Sequence, residues 1–251
     1  MASPGASAGQ QPLEPVEDPV VDRQKRAAAQ AAAEMVADGM RVGLGTGTTV
    51  AHLLPALAER GLREVSCVAT SPATERAARA LGMTIRTLDE LGELDVAIDG
   101  ADQIDPLGWL VKGGGAAHTR EKIVAAAARS FVVIASAEKA VDMLSAPVPL
   151  EVMRFGMQST LAALAPARLR PRPADGSADD GTSPWQESPD GGLIADYLGP
   201  VGDPRELSRR MSDTPGVVGH GLFAPEMVSV ILIAHEDRVE RRSGAKLESQ
   251  P

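Results

Sequence analysis

The sequence predicts an α/β fold, with a Rossmann-like parallel-sheet domain and a smaller α+β (ferredoxin-like) subdomain near the C-terminus. Short apolar strand patterns alternate with helical patterns over residues 22–145, which is typical of βαβ units in a parallel sheet. Polar, glycine-containing segments directly follow two of these strands, at the sheet edge where α/β proteins bind ligands. From about residue 146 the order becomes strand, helix, strand, helix, strand, which indicates the second unit.

The elements of the first domain follow an extension, residues 1–21, that is polar, Pro-rich and predicted to be disordered. A helix is predicted from Asp22, a suitable N-cap, to Gly39, a suitable C-cap. Further helices are predicted from Thr48 to Arg60 and over PATERAARALG and TREKIVAAAAR. The predicted strands are MRVGLG, REVSCVATS, MTIRTLDEL, LDVAIDG and SFVVIAS.

The smaller subdomain is predicted over residues 146–215. VPLEVMRFGMQSTLAALA has the pattern of a strand and an amphipathic helix, GLIADYL of a strand, and DPRELSRRMSDTPG of a helix. A Pro-, Asp- and Gly-rich insertion at about 167–192 is expected to be a loop or disordered. Residues of about 216–238, including the strand VSVILIAH, are assigned to the α/β domain, and 239–251 to a mobile tail.

The composition excludes several classes of protein. The net charge of −9 disfavours nucleic acid and anionic membranes as main partners. No apolar run is long enough to span a bilayer, and the N-terminus lacks a signal-peptide pattern. The single cysteine, Cys67, lies in a strand pattern, where a buried and inert thiol is expected. These features predict a cytoplasmic protein.

The first candidate site segment is the glycine-rich turn VGLGTGTTV. Its glycines allow backbone N–H groups to face an anion at a helix N-terminus, and Thr46, Thr48 and Thr49 add hydroxyl donors. A tight turn without a ligand is the alternative. A dinucleotide site is a weaker one, because the third-glycine spacing of that motif is missing. The phosphate of a small ester fits this segment best.

The second segment, DGADQID, carries Asp99 and Asp102 at the end of a buried strand. Paired acids of this kind hold sugar hydroxyls, share a proton or bind a metal. A metal is the weakest of the three alternatives, because His118 is the only histidine nearby.

The third segment joins Lys112 and a triple-glycine run to a helix carrying Glu121, with Thr119 as its expected cap. A glutamate in the first helical turn is either a catalytic base or an acid favoured by the helix dipole. Lys122 is expected to face solvent.

Taken together, these segments closely resemble the A-type ribose-5-phosphate isomerase family over roughly residues 22–236. GLGTGTT resembles its phosphate loop, DGADQID its paired-acid motif, and LVKGGGAAHTREKIVA its lysine–glycine–glutamate signature. SAEKAVDML, VPLEVM and TPGVVGHGLF resemble three later family segments in the same order.

The resemblance implies an aldose–ketose isomerase that interconverts D-ribose 5-phosphate and D-ribulose 5-phosphate through a cis-enediolate, in the non-oxidative pentose phosphate pathway. It implies no metal or organic cofactor, a small sugar phosphate as ligand, and a homodimer or homotetramer. Glu121 falls on the general base, and Asp99, Asp102 and Lys112 are further catalytic candidates. The implied substrate-binding residues are Thr46, Gly47, Thr48, Thr49, Asp99, Gly100, Ala101, Asp102, Lys112, Gly113, Gly114, Gly115 and Lys139, with Lys25 as a candidate phosphate contact.

Three departures from the family pattern leave open another phosphosugar substrate: Gln103 after the paired acids, His118 one turn before Glu121, and Ser136. A non-catalytic sugar-phosphate sensor is an alternative, but the ~20 residues before Asp22 are too short for a helix-turn-helix. An acyl-CoA transferase or an aminosugar-phosphate deaminase on the same scaffold is another.

Overall fold

A computed structural model of the chain describes residues 18–173 and 183–248. Its strands, in chain order, are β1 (Arg41–Leu44), β2 (Ser66–Ala69), β3 (Thr84–Ile85), β4 (Leu94–Gly100), β5 (Gln103–Ile104), β6 (Leu110–Val111), β7 (Ala128–Ser136), β8 (Val148–Val152), β9 (Ala167–Leu169), β10 (Leu193–Tyr197), β11 (Val217–His220), β12 (Leu222–Phe223), β13 (Val230–Ala234) and β14 (Val239–Ser243). Its α-helices are α1 (Pro19–Ala33), α2 (Thr48–Glu59), α3 (Pro72–Ala80), α4 (Leu88–Leu91), α5 (His118–Ala127), α6 (Met157–Ala163), α7 (Pro204–Ser212) and α8 (Ala245–Glu248).

The main sheet confirms the predicted α/β class. Its order is β14-β13-β7-β4-β1-β2-β3, and every neighbouring pair is parallel except β13 with β14. α1 and α2 bury alanine, valine and leucine side chains against one face, and α5 covers the other with Val124 and Ala125. Cys67 is fully buried in this core, as predicted, and burial raises the pKa of its thiol to about 12, which favours the unreactive thiol form.

The small subdomain contains the predicted strands β8 and β10 and helices α6 and α7, together with two strands that the sequence did not predict, β9 and β11. β8, α6, β9, β10, α7 and β11 follow one another, and the strands form a sheet of order β11-β8-β10-β9. This β-α-β-β-α-β order is that of ferredoxin-like units. The sheet includes β11 and so extends to His220, past the boundary predicted at residue 215. Residues 167–173 and 183–192 of the predicted insertion are partly ordered by β9 and by bridges of Pro171 with Trp185 and of Glu187 with Leu193; residues 174–182 lie outside the described residues.

The first helix begins earlier than predicted. α1 starts at Pro19, because the Asp18 carboxylate accepts a hydrogen bond from the Val20 N–H and Pro is favoured at the first helical position. It ends at Ala33 rather than near Gly39. The predicted disordered extension is therefore wrong for residues 18–21, while residues 1–17 lie outside the described residues.

Two further predictions are wrong. The segment predicted as one strand over MTIRTLDEL is a two-residue strand followed by α4, because Thr87 and Glu90 form a capping box. The tail predicted to be mobile from residue 239 contributes β14, which pairs with β13 over its full length. Residues 249–251 lie outside the described residues.

A third, small sheet was not predicted. Its order is β12-β6-β5, and its strands are two residues each, too short to produce a periodic pattern. It fixes the chain between Asp102 and Lys112, since the Asp102 N–H donates to Val111 O and the Lys112 N–H donates to Gly221 O, both at 2.8 Å. This sheet therefore places two of the predicted site segments side by side.

Candidate active site

The candidate site lies at the carboxyl ends of β1 and β4. From β1 the sheet continues through β2 and β3 in one direction, and from β4 through β7 and β13 in the other. Loops leaving such a pair of strands diverge and open a crevice, which is where α/β sheets bind ligands. The glycine-rich loop after β1 and the paired-acid loop after β4 meet there.

The structure brings together the residues singled out in the sequence. One pocket is lined by Lys25, Thr46, Gly47, Thr48, Thr49, Gly100, Ala101, Asp102, Lys112, Gly113, Gly114, Gly115, Glu121 and Lys139. The remaining predicted residue, Asp99, lies directly beneath this lining and is 3% exposed. The predicted loops, the helical glutamate and the three lysines thus share one crevice.

A buried group of three charges forms the floor of the pocket. The Lys112 ammonium lies 2.9 Å from Asp99 Oδ2 and 3.2 Å from Glu121 Oε2, and each of these side chains is 3–4% exposed. Lys112 also donates to the carbonyl of Gly100, and the Thr46 hydroxyl donates to Glu121 Oε1. Pairing of this kind is needed because an uncompensated buried charge is strongly destabilising.

Burial and the charges of the neighbouring side chains shift the pKa values of Asp99 and Lys112. Burial and the neighbouring Glu121 charge raise the pKa of Asp99 to about 7, although Lys112 opposes the shift. Burial alone would lower the pKa of Lys112, but the charges of Asp99 and Glu121 outweigh it and hold that pKa above its ordinary value. Lys112 therefore remains an ammonium, while Asp99 holds a proton more readily than an ordinary aspartate does.

Backbone hydrogen bonds connect the loops of the site. The Thr46 N–H donates to Asp99 Oδ1 at 3.0 Å, and the Gly114 N–H donates to Asp102 Oδ2 at 2.9 Å. Gly45 allows the first of these contacts, because a Cβ at that position would lie 1.9 Å from the Asp99 carboxyl carbon. Each acid of the pair thus holds a different glycine loop.

The opposite end of the pocket is suited to an anion. The N-terminus of the twelve-residue helix α2 opens into it after Gly47, whose φ of +91° favours glycine. The Lys25 ammonium, on α1, donates to the Thr48 hydroxyl at 2.7 Å, and Lys139 lines the same region. Backbone N–H groups, hydroxyls and two lysines together provide the donors that a phosphate requires.

Two predictions about α5 are wrong. Lys122 does not face solvent: it is half-buried, and its ammonium donates to His220 O at 2.7 Å and Leu222 O at 2.8 Å. Burial lowers the pKa of Lys122 to about 7. Ala117, rather than Thr119, occupies the N-cap position of the helix.

The residues that depart from the family pattern, Gln103, His118 and Ser136, lie outside the pocket lining. His118 is fully buried at the start of α5, close enough to Gly113 that a Cβ there would lie 2.7 Å from Nδ1. Burial lowers the pKa of His118 to about 3, so the ring is neutral. Gln103 exchanges hydrogen bonds with the backbone of Ser145, and Ser136 is fully buried. Neither lines the pocket.

Sequence reasoning missed Arg170. Its guanidinium donates to the carbonyls of Gly113 at 3.3 Å and Gly114 at 3.1 Å, and is itself held by Asp196. No signal in the sequence singled it out, because it lies in the segment predicted as a loop insertion. Only the folded small subdomain brings it to the glycine loop.

Within residues 18–173 and 183–248, no three His, Cys, Asp or Glu side chains are grouped so as to hold a metal ion. In the same residues, no helix combines the length and apolar character needed to cross a membrane.

Comparisons with known proteins point to one family. The family model described as ribose 5-phosphate isomerase A (phosphoriboisomerase A) matches residues 66–238. Ribose-5-phosphate isomerase A of Caulobacter vibrioides is 43% identical over 231 residues, covering 88% of this chain and 97% of the relative.

Solved structures agree. Ribose 5-phosphate isomerase A from Methanocaldococcus jannaschii superposes with a TM-score of 0.80 at 31% identity, covering 88% of this chain and 99% of that one. A D-ribose-5-phosphate isomerase in complex with phospho-erythronic acid gives a TM-score of 0.81 at 32% identity, covering 89% and 99%.

Proposed function

The chain belongs to the ribose 5-phosphate isomerase A family, and on this premise we propose that it interconverts D-ribose 5-phosphate and D-ribulose 5-phosphate in the crevice between β1 and β4. The reaction is an aldose–ketose isomerisation, as in the non-oxidative pentose phosphate pathway. The observation that carries the assignment is Glu121, a buried carboxylate that lines the pocket and is fixed on both oxygens, by Thr46 and Lys112.

In the aldose-to-ketose direction, Glu121 removes the proton from C2 of the open-chain sugar. The C–H electron pair forms the C1=C2 double bond, and the electrons of the C1=O1 double bond move to O1. The aldehyde is thereby converted to the cis-enediolate, with negative charge on O1. Lys112 is the ammonium closest to Glu121, and its charge stabilises the developing oxyanion. Glu121 then returns the proton to C1, and the O2 hydroxyl loses its proton as the ketone forms.

The paired acids support the exchange of the hydroxyl proton between O2 and O1. Asp99, with its pKa of about 7, is suited to hold a proton at working pH, whereas Asp102 is exposed at the pocket and hydrogen-bonded to Gly114. Opening of the furanose ring needs the same kind of proton transfer. We assign these steps to the two acids jointly.

The phosphate group is placed at the α2 N-terminus by Gly47, Thr48 and Thr49, with Lys25 and Lys139 beside it. Anchoring the non-reacting end holds C1 and C2 over Glu121 and lowers the entropic part of the barrier. The relative solved with phospho-erythronic acid binds a ligand that is also a phosphorylated sugar derivative.

Further proposals follow from the family. The reaction moves protons only, so no metal or organic cofactor is assigned. The protein is proposed to be cytoplasmic and to form a homodimer or homotetramer. A sugar-phosphate sensor and an acyl-CoA transferase or deaminase are not favoured by the relatives described above, which carry the isomerase name.

The test is ketose formation from ribose 5-phosphate with EDTA present, by the parent protein and by Glu121→Gln. The parent is expected to turn over without added metal. The variant retains the shape of the side chain but has no basic carboxylate, and its single amide oxygen can accept from only one of Thr46 and Lys112, so kcat is expected to fall by at least about 10²-fold.

Lys122→Gln is the matched control, because Lys122 neighbours Glu121 on the same helix but points away from the pocket. It is expected to keep most of the activity. Full activity in Glu121→Gln would remove Glu121 from the role of base, and an inactive parent protein would reject the isomerase assignment.

A further inference from the structure

Arg170 connects the small subdomain to the glycine loop of the candidate site. It follows β9, and its backbone is fixed by pairing with Ile194 and Gln186. Its Nη1 atom lies 3.3 Å from the carbonyl oxygen of Gly113 and 3.1 Å from that of Gly114. A single guanidinium group therefore holds two consecutive peptide groups of the loop.

These contacts determine where the loop directs its N–H groups. In a trans peptide, the C=O of one residue and the N–H of the next point to opposite sides. With the Gly113 carbonyl on Arg170, the Gly114 N–H points away from it and reaches Asp102. With the Gly114 carbonyl on Arg170, the Gly115 N–H is likewise directed away from the guanidinium, and Gly115 lines the pocket.

Arg170 is itself held rigidly. Asp196, on β10, accepts from Nε at 2.8 Å and from Nη2 at 2.5 Å, and both side chains are 18% exposed. This bidentate geometry fixes the plane of the guanidinium, which a lysine cannot reproduce. The orientation of the glycine loop is thus determined from the small subdomain.

We propose that Arg170, oriented by Asp196, is a positioning residue for the isomerisation: it aligns the Gly113–Gly114 and Gly114–Gly115 peptides, so that the Gly114 N–H holds Asp102 and the Gly115 N–H faces the reacting end of the substrate. The inference rests on the proposed function of this loop. Arg170 itself does not line the pocket, so its effect is exerted through the loop.

The experiment compares Arg170→Lys, Arg170→Ala and Asp196→Asn with the parent protein. Because the loop serves the carbons at which charge develops, kcat is expected to fall about tenfold to a hundredfold while KM changes little. Affinity for a phosphorylated four-carbon sugar acid should fall with kcat, whereas affinity for inorganic phosphate should not. Added guanidinium ion should restore part of kcat in Arg170→Ala.

Asp190→Asn is the matched control. Asp190 makes an equivalent bidentate pair with Arg120, at 2.7 and 2.6 Å, which joins α5 to the same subdomain without touching the glycine loop. Its kcat should equal that of the parent.

The outcomes separate this inference from the proposed function. Parent-like kcat in Arg170→Lys and Asp196→Asn would overturn the inference alone. So would an equal loss in Asp190→Asn, or the absence of guanidinium rescue in folded Arg170→Ala. An inactive parent protein would overturn the proposed function, and the inference with it.

Discussion

Lys112 lies between two carboxylates, and this placement explains how three charged side chains are accommodated in a region where each is almost fully covered. Leaving one buried charge without its partner costs about 3–5 kcal/mol, so the three side chains stabilise one another. The arrangement also fixes the direction of the Glu121 carboxylate. At the scale of single residues, the groups assigned to catalysis are therefore the same groups that hold the floor of the pocket together.

His118 provides a prediction at this scale. Burial and the Lys122 charge lower its pKa to about 3, and His220 is shifted to about 3 by burial and the same lysine. In the unfolded chain both rings have the ordinary value of about 6.5. Between these two pKa values the unfolded chain binds more protons than the folded protein. The free energy of unfolding is therefore highest above about pH 6.5 and decreases as the pH falls below that value.

His118→Leu removes one of the two groups. Between pH 7.5 and 5.5 the parent is expected to lose about 1.4 kcal/mol more free energy of unfolding than the variant. Urea unfolding at the two pH values measures this difference. Identical pH dependence in the two proteins would contradict the neutral, buried state of His118.

Some residues of the candidate site could be predicted from the sequence, and others could not. Asp99, Lys112 and Glu121 lie in contiguous segments after strand patterns, and each segment resembles a family motif. Arg170 and the inward direction of Lys122 depend on β9, β11 and β12, which pack against the site only in the folded chain. Short-range patterns carry no information about such contacts.

At the scale of elements, long apolar patterns predicted strands correctly, whereas the shortest strands gave no pattern that could predict them. β4 extends over the residues predicted for it, Leu94–Gly100, because its centre, residues 96–98, is an apolar run buried in the sheet. β5, β6 and β12 are two residues each, and their pairing depends on partners distant in the chain. The strand pattern over MTIRTLDEL ends early because the capping box of Thr87 and Glu90 starts α4 there.

β14 gives a prediction at this scale. It covers the free edge of β13, a strand whose five residues are all buried. A chain that ends at Arg238 would expose this edge and lose backbone hydrogen bonds worth about 0.5–1.5 kcal/mol each. We expect lower stability in urea and concentration-dependent association measured by light scattering.

A chain that ends at Glu248 is the control, because it keeps β14, and it should behave as the parent. A monodisperse, equally stable protein ending at Arg238 would show that β14 does not protect the sheet.

At the scale of the whole molecule, the chain is acidic but its pocket is not. The net charge is −9, yet the pocket is lined by three lysines, Lys25, Lys112 and Lys139, against two carboxylates, those of Asp102 and Glu121. The anionic ligand is therefore recognised by local charge rather than by the overall field of the protein.

The assembly proposed for the protein is tested at this scale. Several large apolar side chains are exposed, among them Phe155 at 90%, Leu107 at 77% and Met143 at 73%. Contact between copies would cover such side chains. Sedimentation equilibrium is expected to give two or four times the chain mass of 26.1 kDa.

Phe155→Ser and Leu107→Ser, measured separately, identify which surface is covered, because only a substitution within the contact should lower the mass. A parent protein of 26.1 kDa at every concentration would reject the proposed assembly.

The hydrogen bonds from Thr46 to Asp99 and from Gly114 to Asp102 bear on how the protein can diverge. A substitution that displaces one of these loops also displaces the segment hydrogen-bonded to it. A substrate with its carbonyl group at a different carbon would therefore require matched changes in segments far apart in the chain. Lys25 and Lys139, by contrast, come from α1 and from the turn after β7. A sugar phosphate of different chain length would place its phosphate differently relative to C1 and C2, so we expect substitutions of Lys25 or Lys139 to alter chain-length preference while the chemistry at the other end is kept.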